Sequence, residues 1–142
     1  MTHSSIEDVL AQKITSLQRC AARARELRAR AGVEFATNHD LQDAAVLNVL
    51  RACETTIDLA NMWLRRDQLG IPSESREAFA ILVRERCIPA DLGTRLQNMV
   101  GFRNVAVHQY RTLEPAIVAA VIDSGLDDLV AFAEIVRRSN MK

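Results

Sequence analysis

The chain has 142 residues, 18 Lys and Arg against 18 Asp and Glu, a formal net charge of zero, and 49% hydrophobic residues. This length suffices to bury about 68–70% of the unfolded surface around one core, so residues 1–142 are expected to form a single domain. The balanced charge excludes a uniformly cationic nucleic-acid coat protein, and five Gly, three Pro and 4% aromatics favour long helices over many short strands.

Ser4 stands three residues before Glu7, a capping-box spacing. Ile6, Leu10, Ile14, Leu17, Ala21, Ala24, Leu27 and Ala31 then recur at steps of three and four, predicting an amphipathic helix that ends near Gly32. A polar loop, Thr37 to Asp40, leads to a second helix over about Leu41 to Leu69. It is apolar around much of its circumference through Ala44, Ala45, Val46, Leu47, Val49, Leu50, Ile57, Leu59, Met62, Trp63 and Leu64, so it should be the most buried. Gly70, Ile71 and Pro72 read as a stop, and Ser75 as the cap of a short helix to about Cys87. Leu92, Leu96, Met99 and Val100 mark a fourth helix. Pro115 suits the first turn of a fifth, which Gly125 kinks or divides before Leu126, Leu129, Phe132 and Val136. The reading is an all-α antiparallel bundle of five or six helices.

No run of 18 apolar residues occurs, and the polar start lacks the basic and then greasy pattern of a signal peptide, so a cytoplasmic location with no membrane contact is expected. Cys20, Cys53 and Cys87, like His3, His39 and His108, are scattered without ligand spacing. The cysteines read as small buried residues, and neither a metal nor a cofactor is implied.

Two features break the packing pattern. Continuing the inward stripe Leu92, Leu96, Met99 by four residues reaches Arg103, and an Arg at a core position requires an anion. Asn104 and His108 share a helix face, whereas Arg103 and His108 lie about 140° apart on an ideal helix. They converge only if the helix bends or ends between them, or if a second chain contributes its own copy. On the second helix Asn48, Arg51, Thr55 and Asp58 share a face beside Glu54. They read as an internal polar network, in one chain or at a subunit contact, or as the lining of a polar cleft. Arg19, Arg23 and Arg30 on the first helix read as a solvated surface or, alternatively, an RNA-backbone rail.

Residues 103–110 spell Arg-Asn-Val-Ala-Val-His-Gln-Tyr. With Gln42-Asp43-Ala44, Glu54 to Asp58, Pro72, Phe79 and Gly101-Phe102, this pattern resembles the HepT family, HEPN-domain ribonuclease toxins encoded beside a small nucleotidyltransferase antitoxin. The resemblance covers nearly the whole chain. It implies a HEPN-like helical bundle that forms a homodimer with two such motifs facing a cleft, and metal-independent cleavage of RNA. It implies Arg103 and His108 as the catalytic pair, Asn104 as their polar companion, and Tyr110 as the residue on which an MntA-like partner, using ATP, places AMP to silence the toxin. It gives no role to the stripe of Asn48, Arg51, Glu54 and Asp58.

These residue types suit that chemistry. Attack by a ribose 2′-OH needs a base, an acid for the leaving 5′-oxygen, and positive charge on the phosphorane. His serves in either proton role near neutral pH, and the Arg fork matches phosphate. One His per chain cannot easily flank both sides of the phosphate, and a two-fold dimer supplies two. Taken singly, His108 also reads as a cap or core imidazole and Tyr110 as an amphipathic residue at a helix end. A non-catalytic helical partner of a nucleotidyltransferase and a purely structural helical dimer are the competing readings.

Overall fold

The structure, a computed structural model, describes residues 4–140. The side chains of Ser4, Ser5 and Asn140 are excluded, so the expected Ser4 cap, like His3, lies outside the described residues. The described chain is helical and carries no strand. The elements are α1 (Ser4–Ala31), α2 (His39–Arg66), α3 (Ser75–Arg84), α4 (Ala90–His108), α5 (Pro115–Ala120) and α6 (Leu126–Asn140). No helix among these residues is long and apolar enough to cross a membrane.

The stripe expected on α1 is the one buried. Leu10, Ile14, Leu17, Ala21, Ala24, Leu27 and Ala31 all face the core, whereas Ile6 stays exposed. They pack along α2, which buries Ala45, Val46, Val49, Ala52, Leu59, Ala60 and Leu64 among others. Alanines on both helices let the backbones approach, and burial of the larger side chains stabilises by about 1.5–3 kcal/mol each. A salt bridge from Lys13 Nζ to Asp58 Oδ2, 3.2 Å, joins the first half of α1 to the second half of α2, as an antiparallel hairpin requires. α6 closes over both helices. Its Phe132 meets Phe79 of α3 edge to face, with ring centroids 5.5 Å apart, and Trp63 of α2 at 6.3 Å.

Several boundaries shift for local reasons. Asn38 Oδ1 accepts a hydrogen bond from the Leu41 amide at 3.1 Å, so α2 begins at His39, inside the expected loop. It ends at Arg66 rather than Leu69, because Gln68 adopts a left-handed conformation with φ of 55° and the Leu69 amide turns back to the Leu64 carbonyl. This is a Schellman-type end reached two residues before Gly70. α3 stops early in the same way, with Arg86 at φ of 62° and Cys87 N bonded to Leu82 O. Ser75 does not cap α3. That end is held by Glu77, whose carboxylate accepts from the Ser73 amide and hydroxyl, and Ser75 is turned to another use. Pro115 does occupy the first turn of α5. The expected break at Gly125 is a π-helical turn over Val121–Gly125 that joins α5 to α6. A Cβ on Gly125 would sit 2.8 Å from Met99 Sδ, so the glycine lets α4 approach this turn closely. Of the cysteines, Cys53 is buried, whereas Cys20 and Cys87 are half-buried, which corrects the expectation for those two.

Candidate active site

The eight-residue pattern straddles the end of α4. The helix buries Leu92, Leu96, Met99, Val100 and Ala106 and runs unbroken through His108. Gln109 then leaves helical geometry, with φ of −136° and ψ of 43°, and Tyr110–Thr112 form a 3₁₀ turn. Because α4 does not end between Arg103 and His108, regular helical spacing sets the two side chains on different sides of it within one chain. A helix end between them is thereby removed as a route to their convergence.

Arg103 occupies the half-buried position expected of it, with a side chain 21% exposed. Its anion lies within the chain: Nη1 is 3.3 Å from Glu54 Oε2 of α2, and Nη2 donates to Ser75 Oγ of α3 at 3.4 Å. Nε is buried with no hydrogen-bond partner among the described residues. The guanidinium is therefore held from two helices, with its outer nitrogens on groups that a phosphate could displace. Asn104 and His108 are exposed, and their side chains make no hydrogen bond or ion pair among the described residues.

Tyr110 is 42% exposed, and its hydroxyl donates to Asp43 Oδ1 in the second turn of α2. Partial burial first, then the Asp43 hydrogen bond and negative charge, push the phenol up to about 12. Asp43 and Glu54 are eleven residues apart, about 16 Å of helical rise. α2 thus holds the two ends of the motif separately, Arg103 at mid-helix and Tyr110 near its start.

The polar stripe on α2 is not a network within the chain. Asn48 Nδ2 donates to Ala44 O and Thr55 Oγ1 to Arg51 O, both bonds to their own helix at 2.9 Å. Arg51 is exposed, and Asp58 pairs with Lys13. Glu54 alone reaches the motif. On α1, Arg19 is exposed, and exposed Arg23 and Arg30 both pair with Glu26, as on a solvated surface. Ser75 and Asp43 were not foreseen as site residues. A Ser before a helix signals a cap, and an Asp in a second turn signals favourable charge near the helix N-terminus. Neither signal names a partner 28 or 67 residues away. Cys53 lies next to Glu54, and its thiol is pushed up to about 12, by burial first and the Glu54 charge second, with Arg103 opposing. It stays protonated at neutral pH and is not a nucleophile.

Beside the motif an open cleft of about 290 Å³ is lined by Gly101, Phe102, Val105, Leu113 and Ile117. Val105 and Ile117 are large exposed hydrophobic side chains. A larger cleft of about 680 Å³ lies by Trp63, Arg66, Arg86 and Arg138. Its arginines gather near the last turns of α2, α3 and α6, whose partial negative charge suits cations, and Arg66 and Arg138 already pair with Asp67 and Glu134. It is a poorer anion site than Arg103.

Among known proteins, a family model described as ribonuclease HepT-like matches residues 17–136. The chain is 37% identical over 132 residues to the mRNA nuclease HepT of Shewanella oneidensis, covering 93% of this chain and 98% of that one. It is similar to the solved structure of the tri-AMPylated Shewanella oneidensis HEPN toxin in complex with MNT antitoxin. The TM-score is 0.86 and the identity 37%, over 92% of this chain and 98% of that one. A toxin–antitoxin structure with AMP-PNP matches at 0.85 and 36% identity, over 91% and 98% of the two chains. A cytosolic Bacillus subtilis protein of unknown function, YutE, shares the fold at 0.73 and 17% identity, over 98% and 90%.

Proposed function

The chain belongs to the ribonuclease HepT-like family, and on that premise we propose that it is the endoribonuclease toxin of a toxin–antitoxin pair, acting in the cytoplasm through Arg103 and His108. The observation that carries the assignment is the disposition of these two residues at the end of α4. The His108 side chain is exposed and unbonded among the described residues, and Arg103 is held by Glu54 and Ser75 with its fork on replaceable partners.

Arg103 binds the scissile phosphate and stabilises charge on the phosphorane. His108 moves the proton of the 2′-OH or of the leaving 5′-oxygen, and Asn104, one helical turn away on the same face, orients the imidazole or the RNA. None of these steps calls on a metal. Since the unbroken α4 splays Arg103 from His108, the site is completed in a homodimer, where a two-fold axis brings a second Arg103 and His108 to the same cleft. The exposed apolar rim at Val105 and Ile117 supports a contact on that face. The shape and backbone of RNA carry recognition, since the chain has few aromatic residues for base stacking.

Tyr110 is the regulatory residue, and an MntA-like nucleotidyltransferase is the partner that transfers AMP to it from ATP. Adenylylation places a phosphate and a base next to the motif, blocking RNA by bulk and by like charge. The solved relative that carries AMP in complex with its antitoxin supports this reading.

The test is His108→Ala. It should lower RNA cleavage by at least about 10²-fold while the thermal melt and circular dichroism stay those of the parent. Undiminished cleavage by the folded variant refutes the catalytic assignment. Loss of toxicity on expression checks the same point in cells and separates a nuclease from a non-catalytic partner of the transferase.

A further inference from the structure

Asp43 is an exposed carboxylate whose one hydrogen bond among the described residues is to the Tyr110 hydroxyl. It forms no ion pair there, and the capping of α2 falls to Asn38. Tyr110 sits in a short turn held by the backbone bonds Thr112 N to Gln109 O and Leu113 N to Tyr110 O and by the Thr112 hydroxyl, which also donates to Gln109 O, and none of these involves the phenol. The direction of the phenolic oxygen is therefore set by Asp43, across the gap between the α4 end and α2. The oxygen is held by Asp43 while the residue as a whole remains 42% exposed. His108 and Arg111, the ionisable neighbours along its own segment, make no bond to the phenol, and Asp43 is the charged group that acts on it.

We propose that Asp43 is a catalytic residue for the adenylylation of Tyr110, supplied by the toxin itself: its carboxylate accepts the phenolic proton as the oxygen attacks the α-phosphorus of ATP held by the nucleotidyltransferase. The proposal rests on the reading of Tyr110 as the AMP acceptor. In the step, the Tyr110 Oη to Pα bond forms and the bond from Pα to the bridging oxygen of the β-phosphate breaks. Pyrophosphate leaves with that electron pair, and the phenolic proton passes to Asp43 Oδ1. A carboxylate suffices, because the phenolic oxygen becomes strongly acidic as its bond to phosphorus develops, and kinases place an Asp on the substrate hydroxyl in the same role. The need for an acceptor is real at neutral pH, where a phenol raised to about 12 leaves on the order of one molecule in 10⁵ as phenolate. The carboxylate that suppresses spontaneous ionisation is placed to take the proton during transfer.

The experiment follows AMP incorporation by intact mass and initial rate, with the whole toxin, its cognate transferase and ATP, from neutral to alkaline pH. The wild type, Asp43→Asn, Asp43→Glu and Tyr110→Phe are compared, each checked for fold by its melt. Asp43→Asn should be about 10²–10³-fold slower at neutral pH. Its rate relative to wild type should climb about tenfold per pH unit as phenolate forms unaided, and Asp43→Glu should recover part of the rate. Transfer to Asp43→Asn at the wild-type rate and pH profile, or a loss that alkaline pH does not recover, overturns the role of Asp43. If instead the wild type takes no AMP, or Tyr110→Phe is labelled as well as wild type, the assignment of Tyr110 falls and the proposal with it.

Discussion

Arg103 is set apart from the other arginines of the chain by where its charge goes. Most of the others pair on the surface with Asp or Glu, where such pairs contribute about 0–1 kcal/mol. The half-buried Arg103 is gripped by Glu54 and Ser75 from two different helices. Its value then lies in the forked geometry presented to a phosphate, and Arg103→Lys tests this because it keeps the charge and removes the fork. Losing charge-assisted hydrogen bonds of about 1.5–3 kcal/mol corresponds to a loss of roughly 10–100-fold in kcat/KM, measurable on any cleaved RNA. Tyr110 gives a second test at this scale, since it is the single tyrosine and its ionisation is visible by ultraviolet absorbance alone. Its midpoint should lie near 12 and fall toward the ordinary 10 in Asp43→Ala. A raised folded-state value means the fold favours the neutral phenol. Its contribution to stability is complete below about pH 10 and lost as pH rises toward 12.

Among the elements, α4 matters most for the site. It needs to lie close on α3 so that Ser75 reaches Arg103, and Gly93 makes this possible. The residue is buried, and a Cβ there would overlap the Val83 Cγ2 methyl of α3. Gly93→Ala should therefore destabilise by about 1–3 kcal/mol through overpacking, although alanine is the better helix former by about 1 kcal/mol. Chemical denaturation measures the loss, and adding Val83→Ala should restore part of it by vacating the space. α6 has a different task, closing the core over α2 and α3 through the fully buried Phe132 between Phe79 and Trp63. Phe132→Ala should cost about 3–5 kcal/mol, and RNA cleavage should fall only where the fraction folded falls.

For the molecule as a whole, helical spacing sets the proposed catalytic side chains on different sides of α4, so on the proposed dimeric site activity should depend on assembly. Val105→Glu combined with Ile117→Glu puts charge on the apolar rim while leaving Arg103 and His108 in place. Sedimentation should show a shift to monomer, with cleavage falling in parallel as protein concentration is lowered. A dimer that survives these changes with full activity would move the contact to another face. Zero net charge is consistent with this picture. A two-fold assembly, as proposed, would bring two copies of Arg103 to one cleft without requiring a cationic excess over the chain.

The helices and their buried stripes were legible in the sequence because apolar residues at steps of three and four leave a helix one face to bury, as Leu10 through Ala31 do. The helix ends were less so. Gln68 and Arg86 terminate α2 and α3 in left-handed conformations, and no residue preference marks a Gln or an Arg for that place. The motif was legible as a pattern, and the misfit of Arg103 in an apolar stripe correctly announced an anion. That the anion is Glu54, that Ser75 turns from cap to ligand, and that Asp43 meets Tyr110 were decided only by the packing of α2, α3 and α4. Periodicity records which side of a helix is buried, and it carries no information on which side chains of distant segments come to face one another.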